Sequence, residues 1–212
     1  MSDNSNGYEA IAAEFIAIRG SPNVNRPAIG TRTVREWIGT LRSGSAVLDL
    51  GCGSGYPITQ LLVDAGLQAY GVDASPSMVA AFRTRFPEVP VECNDVTRSD
   101  FFGREFDGVI AWGVLFLLRS EAQEELIYRV GHALTSGGQF LFTAPREICE
   151  WSDSMTGRLS VSLGAEEYRR LLEAAGLVLI DEMEDEGDNH YYLAPLLTVS
   201  RDSGAQCASA PR

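Results

Sequence analysis

The stretch Val47-Leu48-Asp49-Leu50-Gly51-Cys52-Gly53-Ser54-Gly55 limits what this chain can fold into more than any other. A short apolar run that ends in a glycine-rich turn reads as a buried parallel strand whose C-terminal end a ligand approaches closely, because glycine admits both left-handed backbone and near contact. The spacing narrows the ligand. A dinucleotide fingerprint needs Gly-x-Gly-x-x-Gly, whereas here the glycines fall at 51, 53 and 55 and Tyr56 follows. No Gly-Lys-Ser/Thr follows either, which excludes a Walker loop. The pattern suits a ligand without a pyrophosphate.

The run is the first of a series. Ile58, Leu61, Leu62 and Ala65 recur at helical spacing behind Pro57, with Gly66 as a stop. Gln68 to Asp73 forms the second strand, and Ser75-Pro76 opens a helix whose Met78, Val79, Phe82 and Phe86 share a face. A strand near 90–93, the apolar run 107–112, a helix over 120–135 with a capping box Ser120…Gln123, and a strand at 139–143 after Gly137-Gly138 continue the alternation. A helix over about 165–175 precedes two β-rich runs, 177–182 and 190–199, expected as an edge hairpin with the last strand antiparallel. Consecutive βα units imply one α/β domain with a mostly parallel sheet covered on both faces. The expected organisation is a single domain over 1–199, with an N-terminal helical cap at about 8–42, a substrate-loop segment at about 146–164, and a disordered tail at 200–212.

Two acids sharpen the ligand. Adenosine without phosphates presents ribose hydroxyls and an amino group, which carboxylates accept from. Asp73 ends the second strand, where a carboxylate meets a ribose diol, and Asp95 in Asn94-Asp95-Val96 follows the third strand within reach of an adenine amino group. An exposed loop acid or helix cap is the alternative for each.

With Asp49-Leu-Gly-Cys-Gly-Ser-Gly55, Gly71-Val-Asp73-Ala-Ser, Asn94-Asp95 and Phe106-Asp107-Gly-Val-Ile in this order, the chain resembles the class I S-adenosylmethionine-dependent methyltransferases over roughly residues 45 to 195. The resemblance implies a Rossmann-like three-layer sandwich with a seven-stranded sheet in the order 3-2-1-4-5-7-6 and strand 7 antiparallel. It implies S-adenosylmethionine as cofactor, with Asp49, Gly51, Cys52, Gly53 and Gly55 in the turn and Gly51 and Gly53 passing under the methionine part. Asp73 would bind the ribose, Asp95 and Val96 would frame the adenine, Trp112 and Gly113 would lie beside the methionine moiety, and Ala74 and Asn94 would complete the cofactor site. Tyr8 and Arg19 resemble an N-terminal segment that folds over the cofactor, Arg19 as a partner for the methionine carboxylate.

The formal net charge of -12 works against neutralising a phosphate backbone, so nucleic acid is not the expected partner. No run reaches the roughly 20 apolar residues of a membrane span, and Met1 to Ser5 lacks the basic start and apolar run of a signal peptide. The chain reads as cytoplasmic, as a monomer or homodimer. Cys52, Cys93, Cys149 and Cys207 are scattered without zinc-ligand spacing, so no metal is expected; they read as reduced thiols, with Cys149 in an irregular segment the best candidate for a reactive one.

Catalysis is less marked. Methyl transfer from a sulfonium needs chiefly in-line alignment and exclusion of water, so a general base is optional. Of two histidines, His132 falls inside a helix, and His190 begins the last strand as a base or substrate ligand, or else as a structural residue. Trp151, Phe116 and Tyr191 are candidate substrate contacts, with core packing the alternative for Phe116. Strand 4 ends in Ala111-Trp112-Gly113, not the Asn/Asp-Pro-Pro-Tyr/Phe used on amide and exocyclic amino groups, and no Pro-Cys pair follows it. The expected reaction is therefore methylation of an O, N or S nucleophile on a small molecule. A protein side-chain methyltransferase and a non-catalytic cofactor-binding module are the alternatives.

Overall fold

A computed structural model describes residues 4–19 and 29–197, with only the main chain of Arg19. The tail at 200–212, the connection at 20–28 and the Arg19 side chain lie outside the described residues, and with them the expectations for the tail and for Arg19.

Strand β1 (Ala46–Leu50) is buried along its whole length, as a run flanked by strands on both edges and helices on both faces must be. It pairs in parallel with β2 (Gln68–Asp73) on one side and β4 (Phe106–Ala111) on the other. Outside these lie β3 (Val91–Cys93), parallel to β2, and β5 (Leu134–Thr143), parallel to β4. An antiparallel hairpin, β8 (Asp181–Glu184) and β9 (His190–Pro195), completes the sheet, with β9 inserted against β5. The resulting order β3-β2-β1-β4-β5-β9-β8 is the expected 3-2-1-4-5-7-6 once β6 (Ile148–Ser152) and β7 (Leu159–Leu163) are set aside as a separate pair.

The two-residue period of each strand sorts its side chains between two cores. Leu48, Leu50, Val109, Ala111, Phe140 and Phe142 face α5 (Ser120–Ala133) and α6 (Ala165–Ala174). Val47, Ile110, Leu141 and Tyr191 face α2 (Thr31–Ile38) and α3 (Ile58–Asp64). On the first face the rings of Phe142 and Tyr192 stack at 4.8 Å, and Tyr168 of α6 meets Phe142 edge-on. Helix α4 (Pro76–Arg85) seals the end of β2 through Phe82, with Ser75 as its N-cap accepting from the Met78 amide at 3.1 Å. A 3-10 turn (Tyr8–Ile11) runs into α1 (Ala12–Arg19).

Several local expectations fail. Ser120…Gln123 is no capping box: Arg119 holds the N-cap position, and the buried Gln123 amide donates to the carbonyls of Leu118 and Val161 while accepting from Tyr168 Oη at 2.8 Å. A buried amide must satisfy all its polar atoms, and this one does so between the chain just before its own helix, β7 and α6. The segment 146–164 is not an irregular loop but largely the β6–β7 hairpin, which places Cys149 in a strand opposite Ser162. The first strand of the edge hairpin starts at Asp181, not Leu177, which makes one isolated bridge to Leu196.

Candidate functional site

A cavity of about 1100 Å³ opens at the carboxyl ends of β1, β2 and β4, where an open α/β sheet binds its ligands. The turn after β1 hooks over the end of β2: the amides of Gly51 and Cys52 both donate to the Val72 carbonyl, at 2.8 and 3.1 Å. Gly51 (φ 68) and Gly53 (φ 54) are left-handed, so the alternating glycines follow from backbone geometry. Their surroundings differ. A Cβ on Gly51 would meet Val114 at 2.7 Å, whereas one on Gly53 or on Gly113 would meet nothing within 4 Å, and both of these line the cavity. Backbone with open space over it is what a closely seated ligand requires. Gly55 is a correction: it does not line the cavity, and its missing Cβ makes room for the Phe86 ring.

Asp73 builds the turn as well as facing the cavity. Its Oδ2 accepts from the Gly53 amide and its Oδ1 from the Ser75 amide, each at 2.8 Å. Burial pushes this carboxyl up, against the lowering effect of those two bonds. Each oxygen keeps a second lone pair for a ligand hydroxyl. Asp95 Oδ1 accepts from the Thr97 amide and hydroxyl, at 2.9 and 2.8 Å, which fixes the carboxylate and leaves Oδ2 for a ligand. Ala74 and Val96 line the same cavity, but Asn94 does not; its Oδ1 accepts from the Asp95 amide at 2.9 Å and shapes the turn.

Asp49 lies deeper. Burial pushes its carboxyl from an ordinary 3.8 to about 7, opposed by a 2.6 Å bond from Thr59 Oγ1 and reinforced by the charge of Asp73. Cys52 lines the cavity too, and burial drives its thiol well up, next to Asp49 and Asp73, so it is a poor nucleophile.

At the far wall, the Trp112 indole N–H donates to Tyr191 Oη at 2.8 Å, and that phenol donates to Asp185 Oδ2 at 2.8 Å. Burial raises the Tyr191 phenol, keeping it protonated. Burial also works to raise Asp185, but bonds from Asn189, Tyr191 and the Gly187 amide outweigh it and leave the carboxyl below its usual value. The Gly113 amide donates to Thr143 Oγ1 at 2.8 Å. Tyr191 is therefore behind the wall, not in the cavity as expected of a substrate contact. Phe116 does line the cavity, while Trp151 backs it with ring centroids 5.3 Å apart.

His190 does not line the cavity. It sits on the opposite face of β9, its Nε2 3.0 Å from Glu182 Oε2 and its ring edge-on to Tyr192, so the geometry gives it no route to a base's role. Glu182 is shared with Arg169 at 3.1 Å. These are cross-strand and helix-to-edge contacts that hold the β8–β9 hairpin.

The roof comes from two distant pieces of chain. Tyr8 Oη donates to Asp153 Oδ2 at 3.3 Å, joining the N-terminal segment to the turn between β6 and β7, and Tyr8 meets Phe15 edge-on. Asp153 Oδ1 is saturated by Met155 and Thr156 amides at 2.9 and 2.8 Å, so it organises the turn. Sequence reasoning missed Asn6 and Thr143, which line the cavity together with Asp153 and Met155 of the expected substrate segment. An Asn-Gly turn at 6–7 was the one local signal available.

Residues 47–138 match the family profile of a methyltransferase domain. The tRNA U34 carboxymethyltransferase of Idiomarina loihiensis is 31% identical over 108 residues, which is 47% of this chain and 32% of that protein. An uncharacterized methyltransferase of Anoxybacillus flavithermus is 27% identical over 48% of this chain and 47% of that one, so the match spans a third to a half of these curated relatives. Among solved structures, a Burkholderia thailandensis 1,6-didemethyltoxoflavin-N1-methyltransferase holding S-adenosylhomocysteine superposes with TM-score 0.67 at 21% identity, covering 91% of this chain and 90% of that one. The glycine turn, Asp73 and Asp95 fall within the segment that matches a methyltransferase domain, and the chain shares the fold of the solved methyltransferase.

Proposed function

We propose that the chain transfers a methyl group from S-adenosylmethionine to an O, N or S nucleophile of a small molecule in the cytoplasm. The observation that carries this reading is one cavity that joins the open backbone of Gly53 and Gly113, the carboxylates of Asp73 and Asp95, and an aromatic and aliphatic far end at Phe116 and Met155. The bare glycines and the acids fit the cofactor: Asp73 accepts from the ribose, Asp95 from the adenine amino group with Val96 against the ring, and Gly51 and Gly53 run beneath the amino-acid part. Trp112 and Gly113 wall the methionine end.

The bound cofactor supplies a methyl group made electrophilic by its sulfonium. The protein's part is to orient the acceptor and exclude water, and the Tyr8–Asp153 contact supports the second by closing the N-terminal segment over the cavity. With His190 facing away, the reading requires no histidine base. Among the described residues no helix is long and apolar enough to cross a membrane, and no cluster of metal ligands occurs.

A second reading, methylation or another alkyl transfer on RNA, is favoured by the tRNA-related name of the Idiomarina relative. The formal charge of -12 weighs against it, since such a partner is held mainly through Lys and Arg. Calorimetric titration of the full chain with S-adenosylmethionine, S-adenosylhomocysteine and NAD tests the cofactor. Binding of the sulfur nucleosides and not NAD is expected; no binding by either would remove the reading. Incubation with labelled cofactor and either a metabolite extract or total tRNA then distinguishes the acceptors, with label expected in the metabolites.

A further inference from the structure

Asn6 has a combination of features that none of the roles above uses. It lines the cavity, its backbone is left-handed at φ 51, and its amide Nδ2 is buried with no hydrogen-bond partner. A buried donor left unpaired is costly, and left-handed backbone, which asparagine tolerates better than other side chains, adds strain that glycine would not carry. Nothing about the neighbouring residues suggests a loose end that tolerates such costs. Gly7 packs against Thr156 and Arg158 of the β6–β7 turn, Tyr8 bonds to Asp153, and Glu9 accepts from the hydroxyls of Ser75 and Ser77 at 2.5 and 2.7 Å. Asn6 is thus held between the start of α4, next to the ribose acid, and the roof.

The electrostatics of the cavity say what this donor would meet. Asp49, Asp73, Asp95 and Asp153 line it, against one cation among the described residues, the exposed Arg119. Those acids match the hydroxyls and amino groups of the cofactor. They oppose its one anionic group, the amino-acid carboxylate, which needs neutral donors to sit in such a field. We propose that the Asn6 amide donates a hydrogen bond to the amino-acid carboxylate of the bound S-adenosyl cofactor. The inference rests on the cofactor reading above.

The test is calorimetry on the full chain with S-adenosylhomocysteine and with 5′-methylthioadenosine, which keeps the adenosine and sulfur but lacks the amino-acid part. Asn6→Ala and Asn6→Gly should each weaken S-adenosylhomocysteine on the order of 10-fold, the size of one hydrogen bond to a charged group, and leave methylthioadenosine unchanged. Asn6→Gly separates recognition from backbone strain, because glycine relieves the left-handed conformation and a purely conformational role predicts equal or tighter binding. Unchanged S-adenosylhomocysteine affinity in Asn6→Gly, or an equal loss for both nucleosides, overturns the proposal. Wild-type protein that binds neither nucleoside removes the cofactor reading itself, a result distinct from either.

Discussion

The indole N–H of Trp112, at the end of β4, donates to the phenol oxygen of Tyr191 on β9 at 2.8 Å, across the intervening strand β5. Because the phenol donates its own hydrogen bond to Asp185, all three groups are held in one orientation, and the wall of the cavity is fixed by residues from the far edge of the sheet. Tyr191→Phe leaves the indole and one Asp185 oxygen short of a partner. A loss of about 1–3 kcal/mol in urea unfolding is expected, with a shift of the Trp112 Nε1–H resonance in nitrogen-15 spectra. An unmoved resonance would show that the phenol does not hold the ring.

Asp73 has a double load, supporting Gly53 and Ser75 while facing the ligand. Asp73→Ala is expected to weaken S-adenosylhomocysteine by 10-fold or more, about 1.4 kcal/mol for each factor of ten. Calorimetry reads this directly, and unchanged affinity would dismiss the ribose assignment.

Two of the glycines after β1, Gly53 and Gly55, should separate by phenotype. Gly53→Ala adds a methyl group into open cavity, so cofactor binding should fall while stability drops only by the backbone cost of about 1–2 kcal/mol. Gly55→Ala drives a methyl group into the Phe86 ring and should lower the unfolding midpoint further, with binding loss only as the fold gives way. Thermal melts beside titrations distinguish the two; identical behaviour would contradict the geometry.

Asp49 predicts a pH dependence. Its folded value of about 7 lies above the ordinary 3.8, so between those limits the folded state holds more protons than the unfolded one. Stability from this group is complete below about pH 4 and is lost as pH rises through about 7. Asp49→Asn should flatten that slope in urea titrations of the ligand-free protein. A slope equal to wild type would place the carboxyl in a wetter setting than its burial indicates.

The sheet was readable because its signals are local. β1 carries its burial in consecutive apolar residues, and the glycine turn, Asp73 and Asp95 follow strand ends that periodicity locates. All three reach one cavity, because each lies at the carboxyl end of a parallel strand. Gln123 and Gly55 were misread for one shared reason: each is defined by a partner far along the chain, Tyr168 and Phe86, and the residues adjacent to them carry no trace of it.

By itself, the amino-acid sequence determined the α/β alternation and a glycine turn at the carboxyl end of the first strand, while the order of the strands came only with the family resemblance. Backbone propensity, two- and 3.6-residue periodicity and the needs of left-handed glycines act over a few residues, and so are written in the order of the chain. Only the tertiary structure decided that β6 and β7 pair as a hairpin, that His190 turns from the cavity, that Tyr191 supports Trp112, and that Asn6 is closed over the site with its amide unpaired. Which face a strand residue presents, and which side chain 79 or 145 positions away meets it, follows from sheet register and from packing between elements, for which a linear pattern holds no term.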